Sequence, residues 1–442
     1  MKNIETAPKC INKKILSKGA KLFFKKKYKK IIDSINDKYL YWNKVKYLKT
    51  PKNINPEILW CAVKLSRTVN ANKISFAKYN FSYNITNHIN KELHNFDLII
   101  GDNFKTKSII PETDKKRFLI GSIMEEAIAS SQIEGAVTTR KIAKDMLVKN
   151  LKPKNKSEQM ILNNYLTIKY IVENKNKKLT TDNLLNIHKL ITNKTLNKPN
   201  NEGNYRINNN VNVVDIIDGE IVHTPPDYKE IPNLMNNLIE FFNQQNKKQF
   251  IHPIIKASII HFLIGYIHPF ADGNGRTARA LVYWYLLKNG YWLMEYLSVS
   301  RFIAKSKTQY AKAYLYSEID DNDITYFINY NIKMLKLSFE NLQEFINQTI
   351  NEKLKFVQFQ KIKDINQRQA IILKWIYEDP SLIFTVKEIE NRFSVSNQTA
   401  RTDLEVLKNK GFLELIPLNK KTKGFVKSNN FDNIIKKELS KL

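Results

Sequence analysis

Twelve consecutive residues carry the densest chemistry in this chain: His268-Pro269-Phe270-Ala271-Asp272-Gly273-Asn274-Gly275-Arg276-Thr277-Ala278-Arg279. The stretch reads as a helix ending at His268, a turn enforced by Pro269, and a Gly-Asn-Gly loop opening onto a second helix. Glycines ahead of a helix N-terminus leave backbone N–H groups exposed, and with the helix dipole these form a cradle for phosphate oxygens. Arg276 and Arg279 lie three apart, on one face of the first turn, and guanidinium forks suit further phosphates. Asp272 offers a hard oxygen ligand for a Mg²⁺ ion that bridges phosphates. His268 supplies a general base or acid at the edge of that site. A base, a metal carboxylate and an anion nest this close together point to nucleotidyl or phosphoryl transfer.

The elements that position these residues read as mainly helical. Amphipathic helix patterns at a 3.6 period cover Asn183–Leu190, Ile231–Phe242 and Ile254–Ile267. Short alternating pieces, Val211–Ile217 and Ile221–His223, flank Asp218-Gly219 and predict a β-hairpin, closed by Pro225-Pro226. The expected organisation is a basic arm and helical region over 1–110, ending near Gly101-Asp102-Asn103, and a catalytic domain over 111–345. A helical linker over 346–365 and a winged-helix domain over 366–442 complete it. In that last block, Thr385–Phe393, a turn at Ser394-Val395-Ser396 and Asn397–Lys408 predict a helix-turn-helix. Strands at Phe412–Ile416 and Gly424–Lys427, joined by a turn at Asn419–Lys423, follow it.

The motif resembles the signature of the Fic family, His-Pro-Phe-x-Asp/Glu-Gly-Asn-Gly-Arg-x-x-Arg, at all nine specified positions. The resemblance implies a Fic helical core with a small β-hairpin flap, and transfer of AMP from ATP to a hydroxyl of a target protein, which could be the chain itself. By motif position, His268 is the base that deprotonates the target hydroxyl and Asp272 holds Mg²⁺. Gly273, Asn274, Gly275, Arg276 and Arg279 hold the phosphates of ATP. Tyr310 and Tyr314 stand where relatives place tyrosines near adenine, although core packing accounts for them equally well. Gly203-Asn204-Tyr205-Arg206, with Val222, His223 and Thr224, is similar to the family's flap, whose edge strand docks the target segment. Ser130, Glu134 and Gly135 resemble the inhibitory motif Ser/Thr-x-x-x-Glu-Gly/Asn, on a helix stopped by Gly135. One departure is Ile264-Gly265, where many relatives have Phe-Glu. Removal of AMP, or transfer of another phosphate-linked group, would use the same site. A reading of another class is a DNA-binding regulator whose Fic domain senses nucleotide.

Composition bounds the rest. The 442 residues are 43 % apolar and 11 % aromatic, enough for buried cores and too apolar for wholesale disorder. Only ten of the 72 cationic side chains are arginines, so each arginine is the better candidate for a planar, bidentate contact. Residues 1–30 hold eleven lysines and one acid, Glu5. They read as a solvated, partly disordered tail or as a contact for nucleic acid or another anionic surface. Residues 366–442 carry 14 Lys/Arg against 9 Asp/Glu, no more basic than the chain average, so the winged helix could contact DNA or dock a protein. Two cysteines, Cys10 and Cys61, can make neither a disulfide framework nor a Cys-based zinc site, which favours a reducing, cytoplasmic setting. His252, His261 and His268 lack acidic or thiol partners at metal spacing, so zinc is not expected. No apolar run spans a membrane. The oligomeric state is not readable.

Overall fold

The computed structural model describes residues 4–50, 54–100, 115–214, 219–244, 250–418 and 422–440. The expected block end at Gly101-Asp102-Asn103, the hairpin residues 215–218 and the turn residues 419–421 lie outside them. The chain forms two compact units, Met1–Leu342 and Gln343–Leu442.

The lysine-rich arm is not a tail from residue 13 onward. Helices Lys13–Phe24 and Lys26–Asp37 fold back on Pro56–Asn70, which begins with Asn55 as N-cap and Pro56 in its first turn. Leu22, Ile32, Ile35, Trp42, Leu59, Trp60 and Val63 form their common core, while the lysines of the arm face outward. The helices approach closely at Gly19, where a Cβ would sit 2.8 Å from the Cβ of Cys61. Nearby, Cys10 and Cys61 are joined as a disulfide. One bridge is not a disulfide framework, but cysteine usage no longer argues for a reducing compartment.

A hairpin, Asn72–Phe76 paired antiparallel with Tyr79–Tyr83, interrupts a region that the sequence reading takes as helical. The physical signal is a period of two: Ile74, Phe76, Phe81 and Tyr83 are buried, and their neighbours face out more.

The middle of this unit is built around Pro253–Ile267, whose residues from Ile254 to Ile264 are all buried. The sequence reading takes this segment as amphipathic. It is instead surrounded, and Lys256, Ser258 and His261 only imitate a polar face. Lys256 donates to the Gln244 carbonyl and Ser258 back to that of Ile254. Against this helix packs Asn274–Lys288, with Lys115–Ile133, Lys156–Asn174 and Thr181–Thr192 on its other sides. The flap hairpin pairs Val213–Val214 with Ile221–His223 through a register irregularity.

The second unit has the expected helix-turn-helix, Val386–Phe393 and Asn397–Asn409. Strands Leu413–Pro417 and Lys423–Lys427 follow. Ser394, standing in a turn position where glycine is common, takes the left-handed conformation at φ 51°. Helices Gln367–Glu378 and Phe431–Leu439 complete the core, Phe431 packing on Phe412. Asp403 is buried and accepts from Asn366 and Arg368, so this part of the second helix is structural.

Candidate active site

His268 caps the central helix in a left-handed conformation, φ 49° and ψ 58°, which turns the chain sharply into the loop. Its Nδ1–H donates to the Gly265 carbonyl at 3.3 Å, an assignment made from the acceptor, and this leaves Nε2 as the basic nitrogen. Burial pushes its pKa down to about 4, so the ring is neutral at pH 7.

The loop is closed from within. Asn274 Oδ1 accepts from the Phe270 N–H at 3.0 Å and its Nδ2 donates to the Phe270 carbonyl at 2.8 Å. The Asn274 side chain therefore shapes the loop, and only its backbone can face a ligand. Gly273, at φ 86°, is the N-cap of Asn274–Lys288, and a Cβ there would come 2.9 Å from Thr192 Cγ2. The N–H groups of the first turn have no acceptor within the helix.

Both arginines are buried, at 1 % and 3 % exposure. Arg276 Nη1 donates to the Ile191 carbonyl at 3.1 Å. Arg279 donates through Nε to Ser130 Oγ (2.8 Å) and through Nη2 to the Ser130 carbonyl (3.0 Å) and Glu134 Oε1 (2.9 Å). Arg276 Nε and Arg279 Nη1 have no hydrogen-bond partner among the described residues. Two orphaned guanidinium N–H groups beside a helix N-terminus call for an anion.

Glu134 sits on that spot: a Cβ on Gly275 would collide with its Oε1. Burial disfavours its charge, but Arg279, with Arg276 and His268, outweighs this and holds the carboxyl below its usual pKa. The helix Lys115–Ile133 that presents Glu134 ends in a Schellman turn. Gly135 lies at φ 91°, and the Ala136 and Gly135 N–H groups donate to the carbonyls of Ser131 and Gln132. Lys307 Nζ also caps this end, donating to the carbonyls of Gln132 (2.8 Å) and Ile133 (3.3 Å).

Asp272 stands at the mouth of the site, with its side chain 53 % exposed and Oδ1 accepting from the Gly273 N–H. It fits a Mg²⁺ ion that takes its other ligands from phosphates and water. No group of three or more His, Cys, Asp or Glu side chains that could hold a metal occurs among the described residues.

Two residues outside the motif hold it in place, and the sequence reading assigned neither of them this role. His188 Nδ1 accepts from the Gly203 N–H, so its Nε2–H donates to the Asp272 carbonyl at 2.9 Å. Its ring stacks on Phe270 at 3.7 Å. Arg206 donates to the carbonyls of His268 (2.9 Å) and Pro226 (2.5 Å), tying the motif histidine to the flap. No local pattern marks His188, but the scarcity of arginine could have marked Arg206.

Tyr310 and Tyr314 belong to an aromatic group with His261, Phe262 and Phe327. The Tyr310 hydroxyl lies 2.8 Å from His261 Nε2. A Cβ on Gly265 would come 2.7 Å from Tyr314, so that ring fills the space a larger residue at 265 would need. His252, His261 and His268 form no cluster. His252 contacts Asp97, and His261 is packed in the central helix.

Two buried histidines, His188 and His261, and the half-buried His268 predict an acid limit to stability. Burial lowers His188, His261 and His268 to about 4, 3 and 4. Their folded pKa values lie below the unfolded value of ~6.5, so the neutral ring is favoured by folding and stability falls as pH drops below ~6.5. At pH 5 each contributes a loss of about 2 kcal/mol. Urea unfolding of the first unit at pH 7 and pH 5 checks this, and an unchanged midpoint would contradict it.

These features place two unpaired arginine donors and a neutral histidine at one helix N-terminus, carried on a helical fold. Residues 178–286 match the Fic/DOC family and residues 368–416 a DeoR-like helix-turn-helix domain. The chain thus contains a Fic domain followed by a DeoR-like helix-turn-helix domain. It is similar to the protein adenylyltransferase Fic of Aedes aegypti, at 39 % identity over 69 residues, and to that of Drosophila virilis, at 36 % over 69. Each match covers 16 % of this chain and 14 % of the relative's length. In fold it resembles a Fic family protein from Desulfovibrio desulfuricans, with TM-score 0.52 and 19 % identity over 78 % of this chain and 97 % of that one. It likewise resembles a Fic-1 fragment from C. elegans, with TM-score 0.50 and 16 % identity over 76 % of this chain and 86 % of that one. Among the described residues no helix is long and apolar enough to cross a membrane.

Proposed function

We propose that the chain is a protein adenylyltransferase held inactive by its own Glu134. The observation that carries this reading is the pair of orphaned donors, Arg276 Nε and Arg279 Nη1, at a helix N-terminus occupied by a carboxylate. His268 Nε2 takes the proton of a target hydroxyl, whose oxygen bonds to the α-phosphorus of ATP. The bond from that phosphorus to the oxygen bridging to the β-phosphate breaks, and pyrophosphate leaves with the electron pair. The backbone of Gly273–Arg276 and both guanidinium groups hold and orient the phosphates, the main contribution in such transfers. Asp272 would hold Mg²⁺, which neutralises phosphate charge. The strand Ile221–His223, exposed at Ile221 and half-buried at Val222 and His223, is the edge on which the target segment docks. Mass spectrometry after incubation with ATP labelled at the α- or γ-phosphate tests the reaction. Label retained only from the α-position, with an added AMP, supports it, and label only from the γ-position replaces it with a kinase.

The helix-turn-helix and the arm, each taken by itself, are two candidate DNA contacts in this reading. Asn397, Gln398, Arg401 and Thr402 are exposed at the start of the second helix. In the arm, Lys13, Lys14, Lys18 and Lys21 are exposed on a folded helix, so they can be neutralised without deleting packed structure. Changing these four to Ser is expected to flatten the salt dependence of DNA binding by up to about 3–4 in log–log slope, at ~0.9 for each phosphate that is no longer neutralised. Arg401→Ala should cost at most about one. Fluorescence anisotropy across a salt series measures both, and equal slopes in the wild type and the four-lysine variant would remove the arm from the interface.

A further inference from the structure

His223, in the flap strand, meets an acceptor at each ring nitrogen. Its Nδ1 lies 2.8 Å from Glu318 Oε2 and its Nε2 lies 2.8 Å from the Tyr266 carbonyl oxygen. A neutral imidazole carries one N–H, and a carbonyl oxygen cannot donate. With Glu318 as a carboxylate, which likewise only accepts, the two hydrogen bonds need both nitrogens protonated. The side chain is 10 % exposed and lies against the Tyr266 ring, with centroids 5.1 Å apart.

The partners sit on the two helices that matter for the site. Tyr266 is two residues before His268 on the central helix, and Glu318 closes the helix Lys307–Ile319, whose first residue caps the Glu134 helix. The charged and titratable groups around His223 are few. Glu318 faces it directly, and His268 is close enough to feel its charge, which adds to burial in keeping His268 neutral. Arg206 is a second cation on the His268 carbonyl. Behind Tyr266 stands Tyr79, which bonds to Glu230, itself paired with Lys78. Burial alone would push the His223 pKa down. The Glu318 carboxylate outweighs it and, with the Tyr266 carbonyl, holds the ring above its ordinary value.

We propose that His223 is a positioning residue: held as an imidazolium between Glu318 and the Tyr266 carbonyl, it pins the flap strand to the site. The pinning stands on the hydrogen bonds alone, whereas its bearing on catalysis rests on the adenylyltransferase reading above. A folded pKa above the unfolded ~6.5 means that the pin is complete below that value and is lost as pH rises through the folded pKa. Docking of a target on the flap then weakens on the alkaline side, while the base fails on the acid side.

The test is a histidine-side-chain NMR titration of the full chain, with hydrogen–deuterium exchange over the flap, on the wild type, Glu318→Gln and His223→Gln. In the wild type His223 should titrate above 6.5, and flap amides, corrected for intrinsic exchange, should lose protection across that titration. In Glu318→Gln the ring loses the carboxylate, burial dominates and titration should fall below 6.5. At pH 6 both variants should exchange flap amides about tenfold faster, with the amides of Asn274–Lys288 unchanged. A wild-type His223 that titrates at or below 6.5, or flap protection indifferent to its titration, overturns the pin without reference to any variant. In kinetics, Glu318→Gln should raise KM for a target peptide about tenfold while kcat changes little. If the wild type transfers no AMP, the adenylyltransferase reading fails, while the titration and exchange results still decide the pin.

Discussion

Glu134→Gly is expected to raise AMP transfer to the chain itself or to a target by roughly tenfold or more, the scale set by freeing one phosphate-binding group for the transition state. Glu134 Oε1 takes a donor of Arg279 and covers Gly275, where the outer phosphates of ATP would lie. Removing the side chain frees that donor and the space together. The arginine does not collapse, because Ser130 still holds it through Oγ and the backbone carbonyl. Occupancy by ATP should change less than the rate, because the carboxylate blocks in-line placement of the phosphates more than their binding. Radiolabel incorporation from α-labelled ATP measures the effect. No activation refutes the lock. A loss of activity would assign Glu134 to positioning a water, and so favour removal of AMP as the reaction.

His268→Ala should abolish transfer, by about 10²–10⁴-fold for a lost general base. ATP binding should survive, because the loop is held by Asn274, His188 and Arg206, none of which uses the His268 side chain. Calorimetry on the Glu134→Gly background separates the two quantities. The double variant should bind ATP like the single one and remain silent. Transfer above a few per cent of the single variant's rate would mean that His268 is not the base.

The geometry of the candidate site was legible where it is contiguous. His268 through Arg279 lie in one short run, so residue type and spacing alone place a histidine at one helix end beside the glycine-framed start of the next, and the Glu134 helix announces its end through Gly135. The supports were not legible, because they come from far along the chain. His188 reaches the loop across 84 residues and Arg206 reaches His268 across 62. The hairpin Asn72–Tyr83 was written in its alternation, yet its polar strand positions let a helical reading stand. The central helix misled in the other direction, since its few polar residues are satisfied internally. Asn274 shows a finer gap: the motif marks it, but only the structure shows that its side chain serves the loop.

Tyr314 and Gly265 share one volume, the ring of the first occupying the place of the second's missing side chain. The two positions are therefore constrained as a pair in descent. A lineage that acquires a side chain at 265 must first, or at once, shrink residue 314, because either change alone leaves a clash or a void in the aromatic group beside His261. Chains with the Phe-Glu form of this helix are then expected to carry something smaller than tyrosine, or a ring displaced from the helix, at the position of Tyr314.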